Sequence, residues 1–406
     1  MNPVPVSLRL EASCCWATAP IENSEAAPNA RRTATQDTSN SIFITVVADF
    51  SIVSVPFLAA IAIFTLVVAG AIVMFHRRLG RVGEVAGSIA VVLLLTVNAA
   101  AWVNRHYDYI PTWQELLGQR AQDAASVTSV KDQRGVPARG KVIQIPIPST
   151  RTGFQPRDAQ VYLPPAWFAT PRRKLGVVVL LAGTPGTPED WTHGGDADVT
   201  SDAYAALHGG QTPVLVMADS NGSFDADTEC LGAAETYLTE DVPAFVSKRF
   251  SLPTAASAWA VGGLSEGGMC GLMLAARHPD VFHTFIDYGG LLGPRSGDAN
   301  PVGSTVKDLF GGSQSAFDTH EPLTILERTR LTGMGGWFAV GSNDSGPLAA
   351  QRELVPAARA AGITTCAVEI AGGEHTFDVW SAAFKQSLPW LATRLQGGTE
   401  IPCPKG

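Results

Sequence analysis

The chain has 406 residues, of which 46% are hydrophobic, and it carries a formal net charge of −8. A chain this long and this apolar buries a substantial core, so the class of disordered proteins is excluded. The acidic balance argues against a nucleic-acid partner. At this length we expect one large domain with additional segments, or two domains.

The first quarter of the chain predicts a tail and a membrane anchor. Residues 1–41 mix Pro, Ser, Asn and Ala without helical or strand periodicity, and we interpret them as a disordered tail. Two apolar runs without charged residues follow, at about 50–75 and 85–103. Each is long enough to cross a bilayer core of about 30 Å as a helix. Residues 42–104 are therefore predicted to form a transmembrane helical hairpin.

The short segment between the two runs predicts their orientation. It contains Arg77, Arg78 and Arg81, and the positive-inside rule places such a turn in the cytoplasm. The predicted location is thus the plasma membrane, with two spans and an extracytoplasmic domain after residue 103. Two buried core helices are the alternative. A cleaved signal peptide fits less well, because the first run starts far from the N-terminus and a second run follows.

The remaining chain predicts a linker, a catalytic domain and a short tail. Residues 105–139 begin with aromatic residues that suit a membrane interface and then become polar, which is typical of a linker. In residues 140–398, apolar β-branched runs alternate with Ala- and Leu-rich segments. This pattern predicts an α/β fold with a mostly parallel eight-stranded sheet and helices on both faces. The predicted strands begin at residues 141, 159, 175, 213, 259, 284, 336 and 364; the predicted helices are 234–250, 267–277, and those starting at 347 and 377. Residues 399–406 are predicted as a C-terminal tail.

A G-x-S-x-G motif lies between the fifth predicted strand and a helix, in "WAVGGLSEGGMC" from 259 to 270. Glycines two residues before and two after Ser265 allow a sharp turn that exposes the hydroxyl group. The start of the following helix favours developing negative charge. We predict that Ser265 is a nucleophile; the alternative is a serine that only caps the helix.

A serine nucleophile needs a base and an acid, which follow it in the order acid, then histidine, in this fold. His375, in "AGGEHTFDVW", is the one histidine beyond the last predicted strand, and we predict that it is the general base. Asp344 follows the seventh strand and is predicted to orient the imidazole. Competing acids are Asp287 at the end of the sixth strand, Glu374 and Asp378.

The tetrahedral intermediate requires two main-chain donors, one after the nucleophile and one after the third strand. These positions are Glu266 and Thr184, the latter in "LLAGTPGTPEDW" from 180 to 191. A plain turn would have the same composition as this loop. Pro185 has no N–H and cannot donate.

These motifs, together with "ETYLTEDVPAFVSKRF", "GSNDSG" and "GGEHTFDVWSAAFKQSLPWL", resemble the esterase D and mycolyltransferase-like branch of the α/β-hydrolases. Over about residues 50–395 the chain is similar to the actinobacterial esterases with an N-terminal transmembrane hairpin. The resemblance implies hydrolysis or transfer of an acyl group on the outer face of the membrane, with Ser265, Asp344 and His375 as the triad. It leaves the substrate open, because the family contains enzymes for lipid esters and for sugar esters. The loop from 180 to 191 differs from the oxyanion loop of secreted mycolyltransferases.

We therefore predict a serine esterase that hydrolyses a lipid- or cell-envelope-derived carboxylic ester through an acyl-enzyme. One alternative is an acyltransferase that passes the acyl group to a sugar or lipid alcohol. Another is an inactive binding module on a hydrolase scaffold. The expected partners are the ester substrate and the membrane, with no nucleic acid, and no cofactor is expected. About 45 residues between strands six and seven are predicted to shape the acyl pocket.

Two further patterns concern metals and cysteines. The acidic stretch "DSNGSFDADTECLG" from 219 to 232 has alternating oxygen ligands, but Phe224 stands where a calcium loop needs glycine, so we expect a solvated loop and no metal. An extracytoplasmic domain permits disulfides. We predict a Cys230–Cys270 bond, with two small buried hydrophobic residues as the alternative, and we expect Cys366 to be a core residue.

Overall fold

The structure, a computed structural model, describes residues 51–107, 109–110, 113, 130, 133–171, 173–297, 301–398 and 402–403. The predicted tail 1–41, most of the predicted linker and most of the C-terminal tail lie outside the described residues. Predictions on those segments stay predictions.

The N-terminal part is helical from Val55 to Tyr107 and breaks once, at Gly80. Gly80 has φ 62°, a left-handed conformation that glycine adopts without steric cost. The break separates two apolar helices, α1 (Val55–Phe75) and α2 (Gly80–Arg105), which are long and apolar enough to cross a membrane. In their most apolar windows 11% and 0% of the residues are buried, so these side chains face outward rather than into a protein core.

The two helices pack as an antiparallel pair. The Asn98 amide donates to the Thr65 hydroxyl at 2.9 Å, and the Arg105 guanidinium donates to the Val53 carbonyl. Both contacts join an early residue of the pair to a late one, which is the geometry of a hairpin. Asn98, the polar interruption in the second apolar run, thus lies between the helices, where the Thr65 hydroxyl accepts a hydrogen bond from its amide.

All eight predicted strands are present and form a single sheet. They are β1 (Lys141–Ile145), β2 (Ala159–Leu163), β3 (Val177–Leu181), β4 (Val214–Met217), β5 (Trp259–Leu264), β6 (Thr284–Tyr288), β7 (Gly335–Gly341) and β8 (Thr364–Ile370). Their order in the sheet is β1-β2-β4-β3-β5-β6-β7-β8. Strand β2 is antiparallel to both of its neighbours, and all pairs from β4 to β8 are parallel. The carboxyl ends of the parallel strands β3, β5, β6, β7 and β8 therefore lie at one edge of the sheet.

Helices connect the strands from β3 onward, and one more follows β8. In chain order they are α3 (Ala197–Leu207), α4 (Ala233–Thr236, a π-helical turn Tyr237–Asp241, and Val242–Phe250), α5 (Glu266–Arg277), α6 (Val302–Phe310), α7 (Gln314–Asp318), α8 (Pro322–Arg328), α9 (Ser345–Ala360) and α10 (Phe377–Leu395). The four predicted helices are confirmed, although the first contains the π turn. Helix α3, "ADVTSDAYAAL", was not predicted, because it is short and polar residues interrupt the apolar pattern in its first half. The long connection between β6 and β7 forms α6, α7 and α8.

Strand β3 shows how the sheet forms two cores. Val177, Val179 and Leu181 belong to one buried cluster, which includes residues of α5 and α9. Val178 and Leu180 belong to a second cluster, with residues of α3 and α10. Successive side chains of a strand point to opposite faces, so a strand that is apolar at every position requires helices on both faces.

Within the described residues, two disulfides hold neighbouring segments to this core. Cys230–Cys270 is confirmed, with a Cα–Cα distance of 5.9 Å, and it joins the segment after β4 to α5. Cys366 is a buried core residue, as predicted, but its bond to Cys403, with a Cα–Cα distance of 5.3 Å, was not predicted. Strand β8 lies at the edge of the sheet, so a C-terminal segment can reach it.

Loss of the Cys230–Cys270 bond should destabilise the protein. The bond joins cysteines that are 40 residues apart in the chain. A cross-link over a loop of that size lowers the conformational entropy of the unfolded chain, which raises the free energy of unfolding by about 4 kcal/mol. We expect the Cys230→Ser/Cys270→Ser variant to unfold at a lower temperature than wild type in detergent. In reductant, wild type should lose more thermal stability than this variant. An equal loss in both would contradict the assignment.

Asp287, at the end of β6, is a buried carboxyl group. It is 3% exposed and accepts a hydrogen bond from the Gly290 N–H at 2.8 Å. The chain leaves little space around it, since a Cβ at Gly268 would lie 2.6 Å from its Oδ1. Burial raises the pKa of Asp287 to about 7, against the hydrogen bond from Gly290, which lowers it.

This raised pKa makes stability depend on pH. Ionising a carboxyl group whose pKa rises on folding costs more free energy in the folded state than in the unfolded state. The free energy of unfolding therefore falls as pH rises from about 4 to about 7. Asp287→Asn keeps an acceptor for Gly290 but cannot ionise. We expect this variant to melt above wild type at pH 8 and to lose that advantage at pH 4. A difference in melting temperature that does not change with pH would refute the assignment.

Candidate active site

The backbone turns sharply at Ser265, between β5 and α5. Ser265 has φ 55° and ψ −121°, which is rare for a residue with a side chain, and its N–H donates to the Tyr288 carbonyl at 2.9 Å. Glycine is required on both sides, because a Cβ at Gly263 or Gly267 would lie 1.9 or 2.3 Å from the Leu181 carbonyl oxygen. The turn directs the serine side chain to the edge where the parallel strands end.

Three predicted residues meet at this edge. His375 Nε2 lies 2.9 Å from Ser265 Oγ, and His375 Nδ1 lies 2.6 Å from Asp344 Oδ2. A neutral imidazole with its proton on Nδ1 satisfies both contacts: the hydroxyl donates to Nε2, and Nδ1–H donates to the carboxylate. The His375 side chain is 38% exposed and that of Asp344 is 11% exposed, so solvent reaches the histidine.

The loops that carry the acid and the histidine are bonded to each other. The Asn343 N–H donates to the Gly373 carbonyl at 2.8 Å, and the Gly372 N–H donates to the Ser342 hydroxyl at 2.8 Å. These bonds join the segment after β7 to the segment after β8. Separate parts of the sequence thus hold Asp344 and His375 at bonding distance.

The competing acids have other contacts. Asp287 is buried and bonded to the Gly290 main chain. Asp378 accepts a hydrogen bond from the Thr376 hydroxyl at the start of α10, a usual arrangement for the first turn of a helix. Glu374 lines a cleft beside the histidine loop. Asp344 is the one that lies at bonding distance from His375.

The predicted oxyanion loop lies beside the serine. A Cβ at Gly183 would be 2.9 Å from Ser265 Cβ, so the segment after β3 lies directly against the turn at Ser265. Thr184 follows, and the Thr184–Pro185 peptide bond is cis. Glu266 is the first residue of α5, where the N–H has no partner within the helix. Both predicted donor positions are therefore next to Ser265.

The side chains of these two residues are also bonded, which was not predicted. The Thr184 hydroxyl donates to Glu266 Oε2, and the Asn221 amide donates to the same oxygen at 2.7 Å. Burial raises the pKa of the Glu266 carboxyl to about 7, against the hydrogen bonds from Thr184 and Asn221, which lower it. A carboxyl group directly after Ser265 is visible in the sequence, but its hydrogen-bond partners are not.

The expectation of a solvated loop from 219 to 232 was wrong for its first part. Asp219, Ser220 and Asn221 are 1%, 3% and 5% exposed, whereas Phe224 is exposed. Asp219 forms an ion pair with Arg157 at 2.6 Å. The alternating polar residues led us to expect contact with water. Instead, the Arg157 guanidinium and main-chain N–H groups bind the Asp219 carboxylate.

Among the described residues, one group of cysteine and carboxyl side chains has atoms close enough together for a metal ion. Cys230, Glu266 and Cys270 have their candidate ligand atoms within 4.8 Å of one another. The two sulfur atoms are bonded to each other, so neither is a thiolate ligand.

Comparison with known proteins agrees with this geometry. Residues 149–391, more than half of the chain, match the esterase family, described as "Putative esterase". A protein of Corynebacterium glutamicum described as uncharacterized is 32% identical over 343 residues, which cover 80% of this chain and 79% of that protein.

Two solved structures have a similar fold. A ferulic acid esterase superposes with a TM-score of 0.51 at 20% identity, covering 64% of this chain and 99% of its own. An S-formylglutathione hydrolase from Agrobacterium tumefaciens has a TM-score of 0.51 at 17% identity, covering 65% and 98%. The chain therefore belongs to the esterase family of α/β-hydrolases, and its activity class is that of a hydrolase or acyltransferase.

Proposed function

We propose that the protein is a serine esterase that hydrolyses a carboxylic ester through an acyl-enzyme. The observation that carries this proposal is the continuous hydrogen-bond chain from Ser265 through His375 to Asp344. A serine hydroxyl is a weak nucleophile by itself, and a neighbouring imidazole oriented by a carboxylate activates it.

In the proposed reaction Ser265 Oγ attacks the ester carbonyl carbon while its proton passes to His375 Nε2. The carbonyl oxygen becomes an oxyanion, which accepts hydrogen bonds from the main-chain N–H groups of Glu266 and Thr184. The intermediate collapses, the C–O bond to the alcohol breaks, and the imidazolium protonates the leaving alcohol. A water molecule then repeats the sequence on the acyl-enzyme and releases the acid. Asp344 stabilises the imidazolium in both halves.

Exposure of the site favours water as the final acceptor. The His375 side chain is 38% exposed, so a water molecule can reach Nε2 once the alcohol has left. A transferase would need an alcohol bound at the same position. Product analysis separates the two activities.

We also propose that residues 42–104 anchor the protein in the plasma membrane, with the catalytic domain of residues 140–398 on the outer face. The exposed apolar surfaces of α1 and α2 and the arginines between them support this topology. The Tyr109 hydroxyl donates to Asp190 at 2.8 Å, and its ring lies 5.1 Å from that of Phe377. Asp190 follows β3 and Phe377 begins α10, so the chain leaving the hairpin contacts both loops of the site.

This contact supports a substrate drawn from the lipid or the cell envelope. A cleft of about 410 Å³ lies between the hairpin and the histidine loop, and its lining includes Trp102, Arg105, Gly373 and Asp378. A cleft bounded by both the membrane anchor and the catalytic loop is accessible to an ester held near the bilayer surface.

The nucleophile is tested with a fluorophosphonate probe and intact mass spectrometry. We expect one adduct on wild type and none on Ser265→Ala, because phosphonylation requires the activated hydroxyl group. Asp344→Asn should label at least about 10³-fold more slowly. Ser315→Ala, which removes an exposed serine on α7, is the control and should label as wild type does. A folded wild type that takes no adduct would overturn the mechanism.

The acceptor is tested with p-nitrophenyl esters of increasing chain length, with and without a sugar or lipid alcohol. For an esterase we expect free acid in both cases, because water reaches the acyl-enzyme. Ser265→Ala should release none. An acyl-sugar or acyl-lipid product that replaces the acid would identify a transferase.

The topology is tested with a membrane-impermeant maleimide on intact cells, in a Cys14→Ser/Cys15→Ser background. Arg352→Cys lies on the exposed surface of the catalytic domain and should be labelled. Arg81→Cys, in the basic turn, should be labelled only after the cells are permeabilised. The reverse pattern would place the catalytic domain in the cytoplasm.

A further inference from the structure

The Glu266 side chain turns away from the open site into the protein. The residue as a whole is half-buried, but its carboxyl oxygen Oε1 is shielded from solvent. A main-chain hydrogen bond from Glu229 also favours the charged form of this carboxyl group. The two side-chain donors to this carboxyl group, from Thr184 and Asn221, both contact Oε2.

Oε2 joins two loops. The Thr184 hydroxyl, from the segment after β3, donates to it, and so does the Asn221 amide, from the segment after β4. Asn221 also donates to the Thr184 hydroxyl oxygen at 3.0 Å, which closes a triangle of three side chains. A closed triangle fixes the distance between its members better than a single bond does.

Asn221 is itself held firmly. Its Oδ1 accepts the Thr228 N–H at 3.0 Å, and its own N–H donates to Asp219 at 3.1 Å. The Cys230–Cys270 bond then ties the end of the same segment to α5. The triangle thus rests on a rigid support, and Thr184 is the member whose loop it secures.

We propose that the Glu266 side chain is a positioning residue that sets the Thr184 main-chain donor against the main-chain donor of Glu266 itself. This inference rests on the proposed function. A displacement of about 1 Å in a catalytic group can reduce the rate about 10²-fold, so a carboxyl group that holds the second donor in place affects turnover more than substrate binding.

The test measures kcat and KM on a p-nitrophenyl ester, with melting temperatures for every variant. Glu266→Ala removes the acceptor, and Thr184→Val removes the hydroxyl while leaving the carboxyl group in place. We expect each to reduce kcat about 10- to 100-fold with KM changed less than about 3-fold. The double variant should be no slower than the slower single variant, because both changes break the same bond.

Conservative variants distinguish positioning from general folding. Glu266→Gln keeps a carbonyl acceptor, so it should recover most of the kcat that Glu266→Ala loses. Thr184→Ser keeps a hydroxyl donor, so it should recover most of the kcat that Thr184→Val loses. Glu240→Ala, which removes an exposed glutamate on α4, controls for the loss of a carboxyl group and should leave kcat unchanged. The Thr184 pair keeps the inference testable if Glu266→Ala fails to fold.

Three outcomes would overturn the inference: kcat within about 3-fold of wild type in both truncated variants, multiplicative losses in the double variant, or no recovery by the conservative variants. Failure of the proposed function has a different signature. In that case wild type itself would show no turnover that depends on Ser265. A wild type that turns over and is labelled at Ser265, with Glu266→Ala equally fast, would refute only the positioning role.

Discussion

The backbone turn at Ser265 is the constraint on which the rest of the site depends. A φ of 55° at a residue with a side chain costs about 1–3 kcal/mol and persists only when the surroundings impose it. Here the close packing of β5 and α5 against β3 imposes this conformation, and glycine at 263 and 267 permits that packing. The tight packing that stabilises the sheet therefore also presents the hydroxyl group at its edge.

Parallel strands explain why distant parts of the chain meet there. Strands β3, β5, β7 and β8 run in the same direction, so the segments after them lie along one edge of the sheet. Those segments carry Thr184, Ser265, Asp344 and His375. Their short cross-bonds, such as Asn343 to Gly373, fix the segments to each other. Precision in the site thus comes from bonds between loops on a rigid sheet.

The N-terminal hairpin meets the catalytic domain at this same edge. Tyr109 contacts Asp190 after β3 and the first residue of α10 after the histidine loop. Asp190 is itself held by the Thr187 main chain and hydroxyl group. A membrane anchor attached at these loops would keep the site close to the bilayer, which is the physical basis for proposing an envelope-derived ester.

Local patterns in the sequence were sufficient to predict the eight strands, the turn at Ser265, and Asp344 and His375 as the residues that meet it. Buried parallel strands are apolar throughout and therefore recognisable, and the glycines of the turn are required by local geometry. Helix α3 was not recognised, because tertiary packing rather than an apolar stripe stabilises it. The burial of Asp219 and Asn221 was not recognised either, since their partners lie in other segments.

The sequence by itself determined the class of the protein: an apolar hairpin, an α/β sheet and a serine in a strained turn, all of which follow from neighbours along the chain. Only the tertiary structure decided that Glu266, Asn221 and Thr184 form one bonded group and that Cys366 pairs with Cys403. Such contacts join residues far apart in the chain. They depend on how strands are ordered and how loops cross the sheet edge, and periodicity along a sequence carries no information about that order.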